Sequence, residues 1–401
     1  MGVAPHGEGP PLGGGIQRGG GWDAPLGECL RVVLTGGGTG GHTSAGLAIA
    51  GALLAGLGDA VELDWIGSRT GLEADRARAA GIRYHAIATG KLRRGFAFRN
   101  VTDLGGRVPA GIAQAWMHLG RLKPHVVVAT GGFVALPTAL AAALRRRPLL
   151  AHEQVVVPGL ANRLIARFAD RVAVTFAASA PAFPAEKVVV TGNPVRPELL
   201  AGTRTRAFPR FDLDPAAPLV YITGGAQGSH RINQVVGAAL EPLLAVCQLV
   251  HQCGDNEFYD LGRLTCQRET LTPPLRARYR VAPFVTDALP DLYAAATLVI
   301  GRAGAGTVTE LCALGLPAIL IPLPDARGDE QTANARVMAD AGAAVLIPQT
   351  ELSPDRLVEV VHDLLAHPAR LEAMGARARN LATPDAATRL VELILSLASR
   401  R

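Results

Sequence analysis

Residues 33–42 read V-L-T-G-G-G-T-G-G-H, and this segment is the strongest indication of fold class in the sequence. A short apolar run stops at five glycines and two threonines, and an alanine-rich helical pattern follows over residues 47–57. A strand, a glycine loop and a helix in this order turn the free N–H groups of the helix N-terminus toward a polar or anionic ligand. Glycine suits the loop because it tolerates positive φ and lets a ligand approach the backbone. His42 stands at the loop exit, where an imidazole could reach that ligand.

The same order of strand, glycine loop and helix occurs again around residues 224–229, G-G-A-Q-G-S, and residues 301–307, G-R-A-G-A-G-T. Around these loops short apolar runs alternate with helical patterns, which is typical of a parallel sheet with helices on both faces. We therefore predict the α/β fold class, with two Rossmann-like domains that face a cleft. Ligands of such sheets bind at the carboxyl ends of the strands, where all three loops fall.

The chain divides by composition into four parts. We expect a disordered leader over residues 1–28, an N-terminal domain over 29–196, a C-terminal domain over 197–384 and a last helix, 385–401, that returns to the N-terminal domain. Residues 201–218, with three prolines and scattered arginines, have the composition of a linker. Residues 126–144 are uncharged, but two glycines and a proline within them favour strand, loop and helix over a membrane span.

The net charge and the cysteine pattern indicate which partners and which compartment to expect. The formal net charge of +6 fits an anionic partner such as a phosphate or a membrane surface, and we expect no nucleic-acid partner. The five cysteines show no CxxC pair and no zinc spacing, so a reduced, cytosolic chain is expected. Asp212 and Asp214 form a D-x-D, a pattern that holds a cation in some sugar transferases. Because it lies in the predicted linker, we predict no metal site.

The first loop also matches a competing template. Gly36, Gly38 and Gly41 fit the dinucleotide fingerprint, and Glu62 or Asp64 lies about 20 residues further on. A dinucleotide-dependent oxidoreductase is therefore an alternative. The two further loops argue against it, because a dehydrogenase of this kind keeps one nucleotide loop and a different catalytic half.

The third loop carries polar side chains suited to a nucleotide. Arg302 and a capping Thr307 lie in the loop, and Glu310 follows one turn into the helix. A carboxylate at that position can accept two hydrogen bonds, which suits a ribose diol. Gln331 and Asn334 share one face of the next predicted helix and could reach the same cleft.

Six motifs occur in order from about residue 30 to the C-terminus. They are G-G-T-G-G-H (37–42), H-E-Q (152–154), G-N-P-V-R (192–196), G-G-A-Q-G (224–228), R-A-G-A-G-T-V-T-E (302–310) and Q-T-A-N-A (331–335). Together they resemble the MurG family, the UDP-N-acetylglucosamine:undecaprenyl-diphosphate-muramoyl-pentapeptide N-acetylglucosaminyltransferases. The resemblance implies a GT-B fold and a metal-independent, inverting transfer that converts lipid I to lipid II for peptidoglycan synthesis. It also implies a peripheral location at the cytoplasmic face of the cell membrane, with UDP-N-acetylglucosamine as donor and no cofactor.

The resemblance assigns roles residue by residue. Its donor contacts fall on Thr39, Gly40, Gly41, Arg196, Ala226, Val285 (uracil, through the backbone), Ala305, Gly306, Thr307, Val308, Thr309, Glu310 (ribose) and Gln331. His42 matches the histidine proposed as general base toward the acceptor 4-hydroxyl, and Glu153 is expected to orient or assist it. The chain departs from the family at Ala226, where serine is usual, at Val155, where asparagine is usual, and over residues 43–45. Another GT-B lipid glycosyltransferase, for example with a diacylglycerol acceptor, or a UDP-sugar epimerase remains an alternative.

A basic and aromatic cluster suggests where the membrane would bind. Lys91, Arg93, Arg94 and Arg99 surround Phe96 and Phe98, and a helical pattern with Val101, Leu104, Val108, Ile112 and Trp116 in one stripe follows. Charge for anionic head groups beside apolar area for the acyl boundary is what an interfacial patch needs. The alternative is that this stripe is the core face of a helix packed on the sheet.

Overall fold

The computed structural model describes residues 29–90, 106–225, 227–324 and 327–399, which form two α/β domains. The proposed leader, the cluster Lys91–Arg99, the start of the stripe at Val101 and Leu104, and Ala226 lie outside the described residues. Both sheets are parallel throughout, and the fold class is the one predicted.

The N-terminal sheet has seven strands in the spatial order β3-β2-β1-β4-β5-β6-β7. They are β1 Leu30–Gly36, β2 Val61–Ser68, β3 Arg83–Ile87, β4 Val126–Gly131, β5 Leu149–Glu153, β6 Arg171–Val174 and β7 Val188–Val190. Helices cover both faces, so the central strands are apolar at nearly every position. Val32 and Leu34 of β1 face one core, and Val33 between them faces the other.

The C-terminal sheet has six strands in the order β10-β9-β8-β11-β12-β13. They are β8 Leu219–Thr223, β9 Gln248–Gln252, β10 Tyr279–Ala282, β11 Leu298–Gly301, β12 Ala318–Leu320 and β13 Ala344–Leu346. In each sheet the strand order reverses beside the first strand, between β1 and β4 and between β8 and β11. This switch point is where parallel sheets open a crevice for ligands.

The helices flank the sheets. They are Gly40–Leu57, Leu72–Ala79, Val108–Leu122, Leu136–Leu144, Leu160–Phe168, Pro197–Leu200, Arg204–Phe211, His230–Ala238, Leu240–Val246, Asp260–Thr270, Pro273–Arg276, Leu289–Ala295, Ala305–Leu314, Glu330–Asp340, Pro354–Ala366, Pro368–Asn380 and Ala386–Ala398. Among the described residues one helical segment, Gly40–Ala60, has the length and hydropathy to cross a membrane. Its Ile49 and Leu53 are fully buried in the N-terminal core, so it packs as a core helix. Residues 126–144 divide into a strand and a helix, as predicted.

The last helix crosses between the domains. Leu390, Val391 and Ile394 of Ala386–Ala398 belong to the same apolar core as Leu30 and Ile49 of the N-terminal domain. The helix Ala386–Ala398 therefore packs on the N-terminal domain.

The predicted linker was wrong. Residues 204–211 form a helix whose Ala207 and Phe208 are buried in the C-terminal core together with Leu292. Arg206 of this helix pairs with Asp291 at 2.8 Å. Prolines and arginines gave the stretch the composition of a linker, but packing on the neighbouring helix outweighs that local signal.

The helix Val108–Leu122 faces the sheet with small residues. Its buried positions are Gly111, Ala115 and Leu119, and a Cβ on Gly111 would lie 2.0 Å from the Ala88 carbonyl oxygen. Of the predicted stripe, Ile112 is half-buried and packs against the N-terminal core, whereas Trp116 remains 46% exposed.

Candidate active site

The first glycine loop joins β1 to the helix Gly40–Leu57 at the switch point. Gly38 has a φ of 79°, and a Cβ on Gly37 would lie 2.5 Å from the Glu73 carboxyl carbon, so both positions require glycine. The Thr39 side chain caps the helix by accepting a hydrogen bond from the His42 backbone N–H at 3.5 Å. Thr39, Gly40 and Gly41 thus form a helix N-terminus, which favours a negative group.

His42 is held against the end of β4. Its Nδ1 lies 2.8 Å from the Thr130 carbonyl oxygen and 2.7 Å from Gln154 Oε1. The Thr130 hydroxyl donates in return to the His42 carbonyl oxygen at 2.8 Å. The ring is therefore fixed by the ends of two adjacent strands, β4 and β5. Their contacting residues, Thr130 and Gln154, are 88 and 112 positions from His42 in the sequence.

Glu153 is expected to orient or assist His42, but its hydrogen bonds among the described residues go to other groups. Its buried carboxylate accepts hydrogen bonds from the Val155 N–H at 3.1 Å and from Asn162 Nδ2 at 3.0 Å. Burial raises the pKa of Glu153, and these hydrogen bonds oppose the rise. Gln154 lies beside His42 instead, and the sequence alone does not single it out. Alternation along a strand was the available signal, because residues two apart share a face.

The two domains meet in a cleft lined from both sides. Gly41 and Ser44 of the first helix, Asn193 and Arg196 of the G-N-P-V-R segment, and Gly306, Thr309 and Glu310 of the helix Ala305–Leu314 all line it. The first and third glycine loops therefore face each other across the cleft. Ala305, Thr307 and Val308 belong to the first turn of the same helix, with Val308 buried in its core face.

Two neighbouring side chains, those of Tyr293 and Arg196, position Glu310. Tyr293 Oη donates to Glu310 Oε2 at 3.1 Å, and Arg196 lies 3.9 Å from Glu310 Oε1. Burial raises the pKa of Glu310, and the charge of Arg196 opposes the rise. Tyr293 was not predicted from the sequence, because it lies one strand upstream in a helix with ordinary core spacing.

Arg302 connects the second and third loops. Its guanidinium donates to Ser229 Oγ and Gln349 Oε1, each at 2.6 Å, and to the Ile321 and Pro322 carbonyl oxygens. All of these acceptors are neutral, and burial lowers the pKa of Arg302 to about 10. An anion bound at the second loop would favour this buried positive charge.

Three further predicted residues have internal partners. The Val285 N–H donates to Gln252 Oε1 at 2.9 Å, so its carbonyl oxygen is the backbone group left to read a base. Gln331 Oε1 accepts from the Leu323 N–H at 3.0 Å. Asn334 Oδ1 accepts from the Val156 N–H at 3.1 Å, which joins the two domains across the cleft.

The acidic residues that suggested a metal site or a dinucleotide site, Asp212 and Asp64, have partners outside the cleft. Asp212 pairs with Arg280 at 2.9 Å in an exposed corner of the C-terminal domain. Asp64 is buried and bonded to Arg83 and His85 within the sheet edge. Within the described ranges no group of three His, Cys, Asp or Glu side chains is arranged to hold a metal ion.

Comparison with known proteins identifies the family. The sequence model of the glycosyltransferase family 28 N-terminal domain matches residues 32–174, and that of the C-terminal domain matches residues 219–390. Two relatives carry the name UDP-N-acetylglucosamine--N-acetylmuramyl-(pentapeptide) pyrophosphoryl-undecaprenol N-acetylglucosamine transferase. The protein from Moorella thermoacetica is 40% identical over 374 residues, covering 91% of this chain and 98% of its own. The protein from Nocardioides sp. is 41% identical over 376 residues, covering 92% and 98%.

Solved structures agree with this assignment. Acinetobacter baumannii MurG matches with a TM-score of 0.71 and 30% identity, covering 92% of this chain and 99% of its own. The UDP-GlcNAc 2-epimerase of Neisseria meningitidis matches with a TM-score of 0.63 but only 16% identity, covering 92% and 100%, so it shares the fold alone. Both family 28 domains, in order, and relatives near 40% identity over nearly the whole chain make this protein a member of the MurG family of hexosyltransferases.

Proposed function

We propose that this chain transfers N-acetylglucosamine from UDP-N-acetylglucosamine to the muramoyl 4-hydroxyl of an undecaprenyl-diphosphate-linked muramoyl-pentapeptide, giving lipid II from lipid I. The names of its relatives support this substrate pair. The observation that carries the chemistry is the placement of His42 directly after Gly41, which lines the same cleft as Glu310. In this proposal the base on one domain faces the nucleotide site on the other.

The proposed reaction is a single displacement with inversion. His42 takes the proton of the acceptor 4-hydroxyl, and the oxygen attacks the anomeric carbon from the side opposite UDP. One C–O bond forms as the bond to the diphosphate breaks, and UDP leaves as the anion. Histidine suits the role because its ordinary pKa is close to neutral.

The donor would bind mainly to the C-terminal domain. Glu310 would accept the ribose hydroxyls, the Val285 backbone would read uracil, and Arg196 would lie near the ribose and diphosphate. The remaining predicted contacts are Thr39, Gly40, Gly41, Ala226, Ala305, Gly306, Thr307, Val308, Thr309 and Gln331. Of these, Gln331 would have to exchange its bond with Leu323 for one with the donor.

The leaving diphosphate would be stabilised without a metal ion or another cofactor. A helix N-terminus supplies about 0.3–1 kcal/mol, whereas enzymes lower barriers by about 8–23 kcal/mol in all. Several donors in a water-poor cleft are therefore needed. Arg302 supports this proposal, because its buried guanidinium lies against Ser229 at the start of the helix that follows the second loop.

We also propose peripheral attachment to the anionic, cytoplasmic face of the membrane. Trp116, Met117 and Leu144 are 46%, 50% and 69% exposed on neighbouring helices of the N-terminal domain. The Arg145 guanidinium stacks 3.7 Å from the centre of the Trp116 ring. Exposed apolar side chains beside arginine suit the boundary between head groups and acyl chains. Each basic residue near such a surface contributes about 1 kcal/mol, so attachment would be reversible and sensitive to salt.

A transfer assay tests the reaction. Purified protein, UDP-N-acetylglucosamine and a short-chain lipid I analogue should give a disaccharide product with a β-linkage, identified by mass spectrometry and NMR. Heat-treated protein is the control for spontaneous hydrolysis. Epimerised UDP-sugar, or free N-acetylglucosamine without a disaccharide, would contradict the proposal.

A further inference from the structure

The H-E-Q segment places two buried polar side chains beside the catalytic histidine. His152 is fully buried and Gln154 is 3% exposed, at the end of β5. They are two positions apart and are bonded to each other, whereas Glu153 bonds to Asn162 and the Val155 N–H. Gln154 therefore faces His42, whereas the Glu153 carboxylate faces other groups.

The orientation of the Gln154 amide follows from its neighbours. Its Nε2 lies 2.9 Å from the Thr130 carbonyl oxygen, 2.9 Å from the His152 carbonyl oxygen and 3.0 Å from His152 Nδ1. These atoms are acceptors, so the NH₂ group must face them and Oε1 must face His42. A flipped amide would bring its oxygen against two carbonyl oxygens.

The tautomer of His42 follows in turn. Its Nδ1 lies between two acceptors, the Thr130 carbonyl oxygen at 2.8 Å and Gln154 Oε1 at 2.7 Å. A nitrogen in that place must carry a proton, which leaves the lone pair of the neutral ring on Nε2. We propose that Gln154 is a positioning residue that fixes His42 as the Nδ1–H tautomer and so reserves Nε2 for the acceptor proton. This inference rests on the proposed role of His42 as base.

The same hydrogen bonds extend to the start of the G-N-P-V-R segment. His152 Nδ1 accepts from Gln154, so its Nε2 carries the proton and donates to the Gly192 carbonyl oxygen at 3.3 Å. Burial lowers the pKa of His152 to about 4, so this ring stays neutral near pH 7. When Nε2 of His42 takes the acceptor proton, Nδ1–H shares the positive charge with the two oxygens that face it.

Gln154→Leu removes the amide but keeps the approximate size of the side chain. We expect kcat to fall about 10- to 100-fold, the loss typical when a partner that orients a metal-ligating histidine is removed. We expect the KM for the donor to stay near the wild-type value. The acidic limb of kcat/KM should move to lower pH, because the imidazolium loses an acceptor. The matched control is Gln248→Leu, a buried glutamine in β9 that bonds to Asp214 and Ala217.

The two variants separate positioning from general stability. Gln248→Leu should lower the free energy of unfolding without moving the acidic limb. An unmoved limb in Gln154→Leu, or an equal shift in both variants, would overturn the inference.

A direct measurement on the wild-type protein does not depend on any variant folding well. ¹⁵N NMR of histidine-labelled protein, assigned by the signal lost in His42→Ala, should show the neutral ring protonated on Nδ1. Protonation on Nε2 would overturn the inference. If His42→Ala keeps full turnover, the role of His42 as base fails, whatever tautomer the spectrum shows.

Discussion

Replacing Glu310 by alanine should selectively weaken recognition of the ribose. A carboxylate has about four lone-pair sites, and in the structure Tyr293 uses one of them, so room remains for ribose hydroxyls. A hydrogen bond to a charged group contributes about 1.5–3 kcal/mol. Loss of one such bond corresponds to roughly a 10- to 150-fold rise in the KM for UDP-N-acetylglucosamine.

Steady-state kinetics with the donor and its 2′-deoxy analogue provide the assay. The wild type should disfavour the 2′-deoxy donor strongly, and Glu310→Ala should use both donors almost equally. Continued discrimination by the variant would refute the reasoning and point to a role of Glu310 in helix stability.

The pH dependence gives a second readout of the same carboxylate. Burial raises the pKa of Glu310, and the ionised form is the one that accepts both hydroxyls. Donor affinity should be full above that pKa and decline as the pH falls through it, at a higher pH than for an ordinary glutamate. The decline should be absent in Glu310→Ala.

Three further predictions address the membrane, the leaving group and the core. Replacing Trp116, Met117 and Leu144 together with serine should abolish sedimentation with anionic vesicles while sparing turnover of a short-chain soluble acceptor; unchanged vesicle binding would place the patch elsewhere. Arg302→Ala should lower kcat about 10²-fold or more by removing a cation from the proposed diphosphate site, and Arg302→Lys should recover part of it; equal losses would implicate its hydrogen bonds rather than its charge. Trp65→Ala should lower the free energy of unfolding by about 3–5 kcal/mol in urea titrations, because the ring is fully buried; a loss below about 1 kcal/mol would contradict that burial.

The fold could be predicted where local pattern and tertiary environment agree. The apolar run of β1 and the glycines after it indicate a buried parallel strand and a loop at its carboxyl end, and both are present. The strand Ala344–Leu346 is three residues long, which is too short to show a period by itself. The helix Arg204–Phe211 was missed because its stability comes from packing on the helix that carries Leu292.

The site could be predicted where a residue follows its own glycine loop. His42 stands in the first turn of its helix and Glu310 in the second turn of its own, so their place near the cleft follows from chain geometry. The hydrogen bonds that join Gln154 to His42 and Asn334 to the Val156 N–H span 112 and 178 residues of chain, so these particular partners depend on strand order and on how the domains meet. No local pattern carries that information.

The role of His42 as base is tested by comparing turnover and donor binding in His42→Ala. We expect kcat with a lipid I analogue to fall about 10²- to 10⁴-fold, the usual contribution of a general base. Isothermal titration should give a dissociation constant for UDP-N-acetylglucosamine close to the wild-type value, because the ribose and base contacts lie on the other domain. A variant that keeps nearly the wild-type kcat would contradict the assignment of His42 as the base.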